Sequence, residues 1–166
     1  MKYLGYMPND FVNGEGISVS VWTSGCPFHC KGCHNPESWD YNNGYKVPAA
    51  LNLMIKRAIL ANGLHRNLSI LGGEPLCEQN RDYILNLIRF IRKEIPSTKI
   101  FLWTGYTHQE LCNIYIEDKK QLPLYNELAK LVDVLITGRF EIDKRTVNLP
   151  LRGSSNQKIT YFENAH

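Results

Sequence analysis

The chain has 166 residues, enough for one domain with a substantial core, and its 43% apolar and 21% charged residues are ordinary for a globular fold. A net charge of +3 comes from basic residues scattered along the chain (Lys56-Arg57, Arg89, Arg92-Lys93, Lys119-Lys120, Lys144-Arg145), which reads as solvated faces and excludes the concentrated stripe of a nucleic-acid binder. No apolar run approaches the roughly 18 residues of a membrane span, and MKYLGYMPNDF lacks the apolar stretch of a secretory leader, so a cytoplasmic protein with no membrane or nucleic-acid partner is expected.

In chain order, ISVSVWTS (17–24) alternates β-branched and small residues and predicts a strand that runs into a cysteine loop. Residues 47–62 predict a helix: Pro48 suits its first turn, Leu51, Met54, Ile55, Ala58 and Ile59 share one face, and Gly63 suits its end. NLSIL (67–71) predicts a short buried strand entering Gly72-Gly73. Residues 78–95 repeat the helical spacing until Pro96 stops it. KIFLW (99–103) predicts a strand, 107–116 and 123–130 two helices, LVDVLI (131–136) a strand, and KITYF (158–162) a last one.

No repeat, low-complexity segment or linker divides the chain, so 1–166 is expected to be a single domain. Strands alternating with helices imply an α/β fold of parallel βαβ units with right-handed crossovers. A full eight-unit barrel takes about 250 residues. An open, partial β/α barrel of four to six strands with a mainly parallel sheet is therefore expected. Ligands in such sheets sit beyond the carboxyl ends of the strands. The cysteine loop, Gly72-Gly73-Glu74-Pro75 and Thr104-Gly105-Tyr106 each follow a strand at that end.

The loop CPFHCKGCHN (26–35) spaces Cys26, Cys30 and Cys33 as C-x₃-C-x₂-C. In a reducing compartment, five cysteines with three clustered point to metal ligands or buried thiols rather than disulfides. A structural zinc site wants four closed Cys or His ligands, commonly as two separated pairs, and only one compact loop is present. His29 inside the loop leaves zinc open as a reading, whereas His34, next to Cys33, is awkwardly placed to close the same site. Iron–sulfur cubanes are held by thiolates, usually four. Three cysteines hold three irons and leave the fourth for a substrate or cofactor, so the missing cysteine reads as a vacancy.

The C-x₃-C-x₂-C spacing, with GGEP (72–75) closing the next βα unit, resembles the radical S-adenosylmethionine (SAM) enzymes. VNGEGIS (12–18) leading into SGCPFHCKGCHNPESW resembles the glycyl-radical activating enzymes among them. DVLITGRF (133–140) and LRGSSNQ (151–157) resemble the branch that activates anaerobic ribonucleoside-triphosphate reductase, and the likeness runs over nearly the whole chain. One departure is Thr137, which stands where an acidic residue is expected before the glycine.

The resemblance implies that Cys26, Cys30 and Cys33 hold a [4Fe–4S] cluster whose open iron is chelated by the amino and carboxylate groups of SAM. Gly72, Gly73, Glu74 and Pro75 would bind the SAM amino group: strand-end carbonyls and the Glu74 carboxylate can accept from an ammonium, and glycine lets the backbone come close. An external donor such as flavodoxin would reduce the cluster, and SAM would be cleaved to methionine and a 5′-deoxyadenosyl radical. That radical would take a hydrogen atom from one glycine Cα of the reductase large subunit, whose stored radical starts nucleotide reduction. The cofactor carries the hard chemistry, and no general acid, base or nucleophile is implied.

Phe28, with Trp103, Thr104 and Tyr106, would flank the adenosine, and Arg139 would meet the SAM carboxylate. Asn156 and Gln157 would contact the ligand or fix their loop. His29 and His34 read as fixing the loop or supporting the metal ligands from behind, Cys77 and Cys112 as buried thiols, and His65, His108 and His166 carry no signal. The face around the cysteine loop and residues 139–156 is expected to dock the reductase. Two other readings stay open: a small radical SAM enzyme acting on a small molecule, like a 7-deazapurine synthase, which needs a sealed pocket, and a zinc-stabilised interaction module, which leaves GGEP unexplained.

Overall fold

The computed structural model describes residues 1–116 and 122–163; Lys119-Lys120 and His166 lie outside them. In chain order the elements are β1 (Lys2–Asp10), β2 (Ser18–Thr23), β3 (Tyr45–Lys46), α1 (Leu51–Ile59), β4 (Asn67–Gly72), α2 (Glu78–Glu94), β5 (Ile100–Thr104), α3 (His108–Cys112), α4 (Leu124–Leu131), β6 (Val134–Thr137) and β7 (Lys158–Tyr161). The strands form one sheet in the order β3-β1-β2-β4-β5-β6-β7. β2, β4, β5 and β6 are parallel, while β1 and β7 flank them antiparallel and β3 pairs antiparallel with β1.

The architecture is the expected α/β sheet, open rather than closed into a barrel. Seven strands, not four to six, occur among the described residues. The two additions are β1 and β3, at one edge of the sheet. β1 contains Gly5 and Pro8, and its register with β2 shifts twice, between Tyr3 and Gly5 and between Met7 and Asp10. Those irregularities erase the alternation by which a strand is recognised. α3 is shorter than 107–116 because Leu124 donates back to the Ile114 carbonyl at 2.7 Å and Tyr115 bridges Pro123, which draws that backbone out of the helix.

Strand alternation sorts the two faces. Val19, Val21, Leu68, Ile70, Ile100, Leu102 and Leu135 point to one side, where Leu51, Ile55 and Ile59 of α1, Ile84, Leu87, Ile88 and Ile91 of α2, and Leu124 and Leu128 of α4 cover them. Burying such side chains contributes about 1.5–3 kcal/mol each, which makes this layer the main source of stability. Arg89–Glu127 and Arg92–Asp133 bridges at 2.9 and 2.7 Å tie α2 to the α4–β6 region. The opposite side carries a smaller cluster of Phe101, Val134 and Ile136 with Trp103, Leu151 and Ile159 packed against it. With the helices on one face, the other face is left for a ligand.

Candidate functional site

Thr23, Gly72, Thr104 and Thr137 end the four parallel strands. The cysteine loop leaves β2 and is fixed at its entry. Gly25 donates to the Ser38 carbonyl at 2.8 Å, Cys26 to that of Trp39 at 3.1 Å, and the Ser24 hydroxyl to those of Asp40 and Asn43 at 2.7 and 2.8 Å. Farther on, the loop turns through left-handed conformations at His29 (φ 45°) and Gly32 (φ 75°). The His29 ring stacks on Trp39 with centroids 4.8 Å apart, which gives His29 the expected loop-fixing contact.

The Gly72-Gly73 pair has a backbone reason. Gly73 donates to the Thr23 carbonyl and Glu74 to that of Gly25, both at 2.8 Å, so the β2–β4 ladder continues into the base of the cysteine loop. A Cβ on Gly73 would stand 2.5 Å from the Gly25 oxygen, and one on Gly72 (φ 111°) 2.5 Å from the Thr23 nitrogen. Only glycine lets the two segments meet.

Glu74 is fully buried and heavily engaged. Its carboxylate accepts from Leu76 N–H at 2.9 Å, the Thr104 hydroxyl at 2.7 Å and Gly105 N–H at 2.7 Å. A carboxylate has about four acceptor positions, so about one remains for a ligand. Burial pushes its pKa up to about 7, against the pull of those three donors and of Arg139. Thr104 is thus a strut between the ends of β4 and β5 as well as a wall residue. Pro75 is buried in the turn before α2 and is not among the residues lining the cavity described below.

Arg139, just after β6, binds Glu110 bidentately at 2.8 and 3.1 Å, and its guanidinium carbon lies 4.2 Å from the centre of the Phe28 ring. The Glu110 carboxyl is held down to about 2 by Arg139 and the Thr107 donors. Phe28 also meets Tyr106 edge-on at 4.8 Å. Gln157 fixes its loop by accepting from Gly153 N–H at 2.9 Å and donating to the Gly138 carbonyl at 2.9 Å, and Asn156 donates to the Arg139 carbonyl at 2.8 Å.

Cys26, Cys30, Cys33, Phe28, Gly72, Gly73, Glu74, Thr104 and Arg139 all line one cavity of about 360 Å³. That volume lies within the range of small-molecule sites. Cys26 is buried and the other two thiols are half-buried. Burial raises the Cys26 thiol to about 11, with the Phe28 and His29 N–H groups pulling the other way and the Glu74 charge adding to the rise. Burial also raises Cys30, opposed by the Phe140 N–H and the Arg139 charge. Backbone N–H donors at a sulfur are what a metal-bound thiolate needs once its proton has gone. Four thiolates on one zinc would sit about 3.8 Å apart, given a Zn–S bond of about 2.3 Å. Among the described residues no three Cys, His, Asp or Glu side chains converge on one ion position. Three thiols lining one cavity suit the thiolate ligation of an iron–sulfur cluster.

Residues 12–160 match the family described as a 4Fe-4S single cluster domain. The chain is 36% identical over 163 residues to the anaerobic ribonucleoside-triphosphate reductase-activating protein of Escherichia coli (strain K12), covering 98% of this chain and 99% of that one. It is 35% identical over 163 residues to the same-named protein of Pasteurella multocida, at 98% of each chain. The same-named protein of Enterobacteria phage T4 is 38% identical over 160 residues, at 96% and 93%. The chain belongs to the family of anaerobic ribonucleoside-triphosphate reductase-activating proteins.

For this member of the activating-protein family, the cavity includes residues that the sequence reading did not single out: Trp22, Leu71, Leu149, Leu151 and Arg152. Trp22 could have been found, because the alternation of SVSVWT sets Ser18, Ser20 and Trp22 on the face opposite Val19 and Val21. Arg152 lies in LRGSSNQ, which the resemblance picks out as a segment, but no periodicity there points to the arginine itself. Trp103 lines the cavity and donates through Nε1 to the Leu151 carbonyl at 2.8 Å, whereas Tyr106 stands behind the lining, its ring against Phe28, its N–H on the Thr104 hydroxyl and its carbonyl on Gly138 N–H. Cys77 is buried and pairs with the Tyr41 hydroxyl, while Cys112 is half-buried at the end of α3. No helix among the described residues is long and apolar enough to cross a membrane.

Proposed function

We propose that this activating enzyme is a radical SAM oxidoreductase, formed by one domain over residues 1–166, that installs a glycyl radical on the large subunit of an anaerobic ribonucleoside-triphosphate reductase. One observation carries the reading: the three cysteines and the Gly72-Gly73-Glu74 strand end line the same cavity. Cys26, Cys30 and Cys33 would hold three irons of the cluster, and Gly72, Gly73 and Glu74 would receive the SAM amino group, with Pro75 buried behind them and fixing the turn. Phe28, Thr104 and Arg139 form the other side of the ligand's space. A bound cluster would supply the one-electron reduction that splits SAM into methionine and a 5′-deoxyadenosyl radical, the species that would take a hydrogen atom from a glycine Cα. The chain orients SAM, excludes water and leaves an opening for the partner's polypeptide. The electron comes from an external donor such as flavodoxin, and the reaction belongs in the cytoplasm. The names of the relatives support the choice of partner.

Electron paramagnetic resonance of the anaerobically reconstituted, reduced protein tests this. The expected result is a [4Fe–4S]⁺ signal that changes shape when SAM is added, followed by a glycyl radical when the reductase subunit is mixed in. Cys26→Ala, Cys30→Ala and Cys33→Ala should each abolish SAM cleavage, and Cys77→Ala should not. Loss of the cluster in Cys77→Ala would overturn the ligand assignment. A colourless protein with stoichiometric zinc and no response to SAM would overturn the enzyme reading.

A further inference from the structure

Among the described residues, the Asp, Glu, Lys and Arg side chains that line the cavity are Glu74, Arg139 and Arg152. Glu74 is satisfied by three donors of the chain itself, and Arg139 is neutralised bidentately by Glu110. Arg152 differs from both. Among the described residues it makes no ion pair. Its Nη1 donates to the Gln157 carbonyl at 3.2 Å, while its Nε is buried and donates to nothing.

The backbone around Arg152 is fixed on both sides. The Leu151 carbonyl accepts from the Trp103 indole at 2.8 Å, and Gly153 N–H donates to the Gln157 side chain at 2.9 Å. The side chain is therefore held at the wall by anchored neighbours. The wall beside it is apolar, with Trp103, Leu149 and Leu151. A buried donor without an acceptor is costly, and a cation against apolar walls attracts an anion more strongly than one in water. With Nε closed off by the chain and Nη1 on the Gln157 carbonyl, Nη2 is the donor left to meet an anion.

We propose that Arg152 is the anion-binding residue of the cavity, meeting a carboxylate oxygen through its free Nη2, and that the already paired Arg139 serves instead to hold the cysteine loop through Phe28. This rests on the reading of the cavity as the SAM site. The carboxylate has two sources, the amino-acid end of SAM or an acidic side chain of the polypeptide that enters the cavity. Their chemistry at Arg152 is the same, and the test separates them.

The experiment uses the reconstituted, reduced holoprotein as wild type, Arg152→Gln and Arg152→Lys. Equilibrium affinities for SAM and for decarboxylated SAM are measured by anaerobic titration calorimetry, and affinity for the reductase subunit is measured separately. The expected result is at least a tenfold loss of SAM affinity in Arg152→Gln, most of it recovered in Arg152→Lys, with affinity for decarboxylated SAM unchanged in both. Unchanged SAM affinity with a tenfold loss of reductase affinity, again recovered by lysine, supports the proposal and assigns the carboxylate to the polypeptide. No change in either affinity overturns it, as does equal loss for SAM and its decarboxylated form.

Iron content and thermal midpoint separate lost binding from lost folding. Should Arg152→Gln not load iron, Arg152→Lys decides alone: a few-fold loss confined to SAM or to the reductase supports the proposal, and any other pattern overturns it. A wild type that ignores SAM would sink the SAM reading by itself, with the reductase arm still deciding the role of Arg152.

Discussion

Glu74 places a carboxyl group where no water surrounds it and three donors of the chain converge on it. Its pKa is raised from 4.5 to about 7, so the folded chain holds this proton more tightly than the unfolded chain does. The stability that this proton contributes is complete below about pH 4.5 and is lost as pH rises to about 7. In the cluster-free protein, thermal unfolding should show a fall in midpoint over that window, and Glu74→Gln should remove that component. The glutamine amide cannot accept from all three donors, so at least one is orphaned. That substitution should cost about 1–3 kcal/mol at pH 5, measured by urea unfolding. A pH profile identical in wild type and Glu74→Gln would mean that Glu74 titrates as an ordinary exposed carboxyl.

At the scale of elements, the site depends on how closely neighbouring segments approach. Gly73→Ala puts a methyl 2.5 Å from the Gly25 carbonyl oxygen, and backbone cannot swing aside as a side chain can. Its expected effect is to separate the cysteine loop from β4, lowering both unfolding free energy and iron content after reconstitution. α3 is five residues long and relies on a capping box in which Thr107 and Glu110 satisfy each other. Thr107→Ala should cost about 1 kcal/mol in urea unfolding.

Much of this was legible in the sequence. SVSVWT, NLSILG and the apolar faces of α1 and α2 follow periods that burial enforces, and the cysteine spacing is written out in order. The Glu74 bonds to Thr104 and Gly105 and the Arg139–Glu110 pair join segments 29 to 31 residues apart in sequence, and no local pattern encodes such meetings. β1 was hidden by its own bulges, and within LRGSSNQ no period told Arg152 from its neighbours. Gly72-Gly73 was found for a ligand contact, whereas its first requirement is the close passage of β2.

Taken whole, the molecule divides its labour between two faces of one sheet. Helices and core occupy one side, and the cavity with its surrounding loops occupies the other. The segment after β6 packs on the cysteine loop, since a Cβ on Gly32 would meet the Ile142 side chain at 2.8 Å. Exposed Lys144, paired with Glu141 at 2.6 Å, and neighbouring Arg145 lie on that segment. Lys144→Glu with Arg145→Glu should weaken radical transfer to the reductase while leaving SAM cleavage without the partner unchanged. Transfer at the wild-type rate would remove this segment from the docking face.

No residue from Pro27 to Asn35 belongs to the buried core, and the loop's entry is fastened by backbone hydrogen bonds to its neighbours. Stripping iron with a chelator should therefore leave the far-ultraviolet dichroism intact. Such a chain outlasts its most perishable part. When air destroys the inorganic centre, what is left is a folded vessel awaiting refill, and recovery calls for iron, sulfide and an electron rather than for a new round of translation.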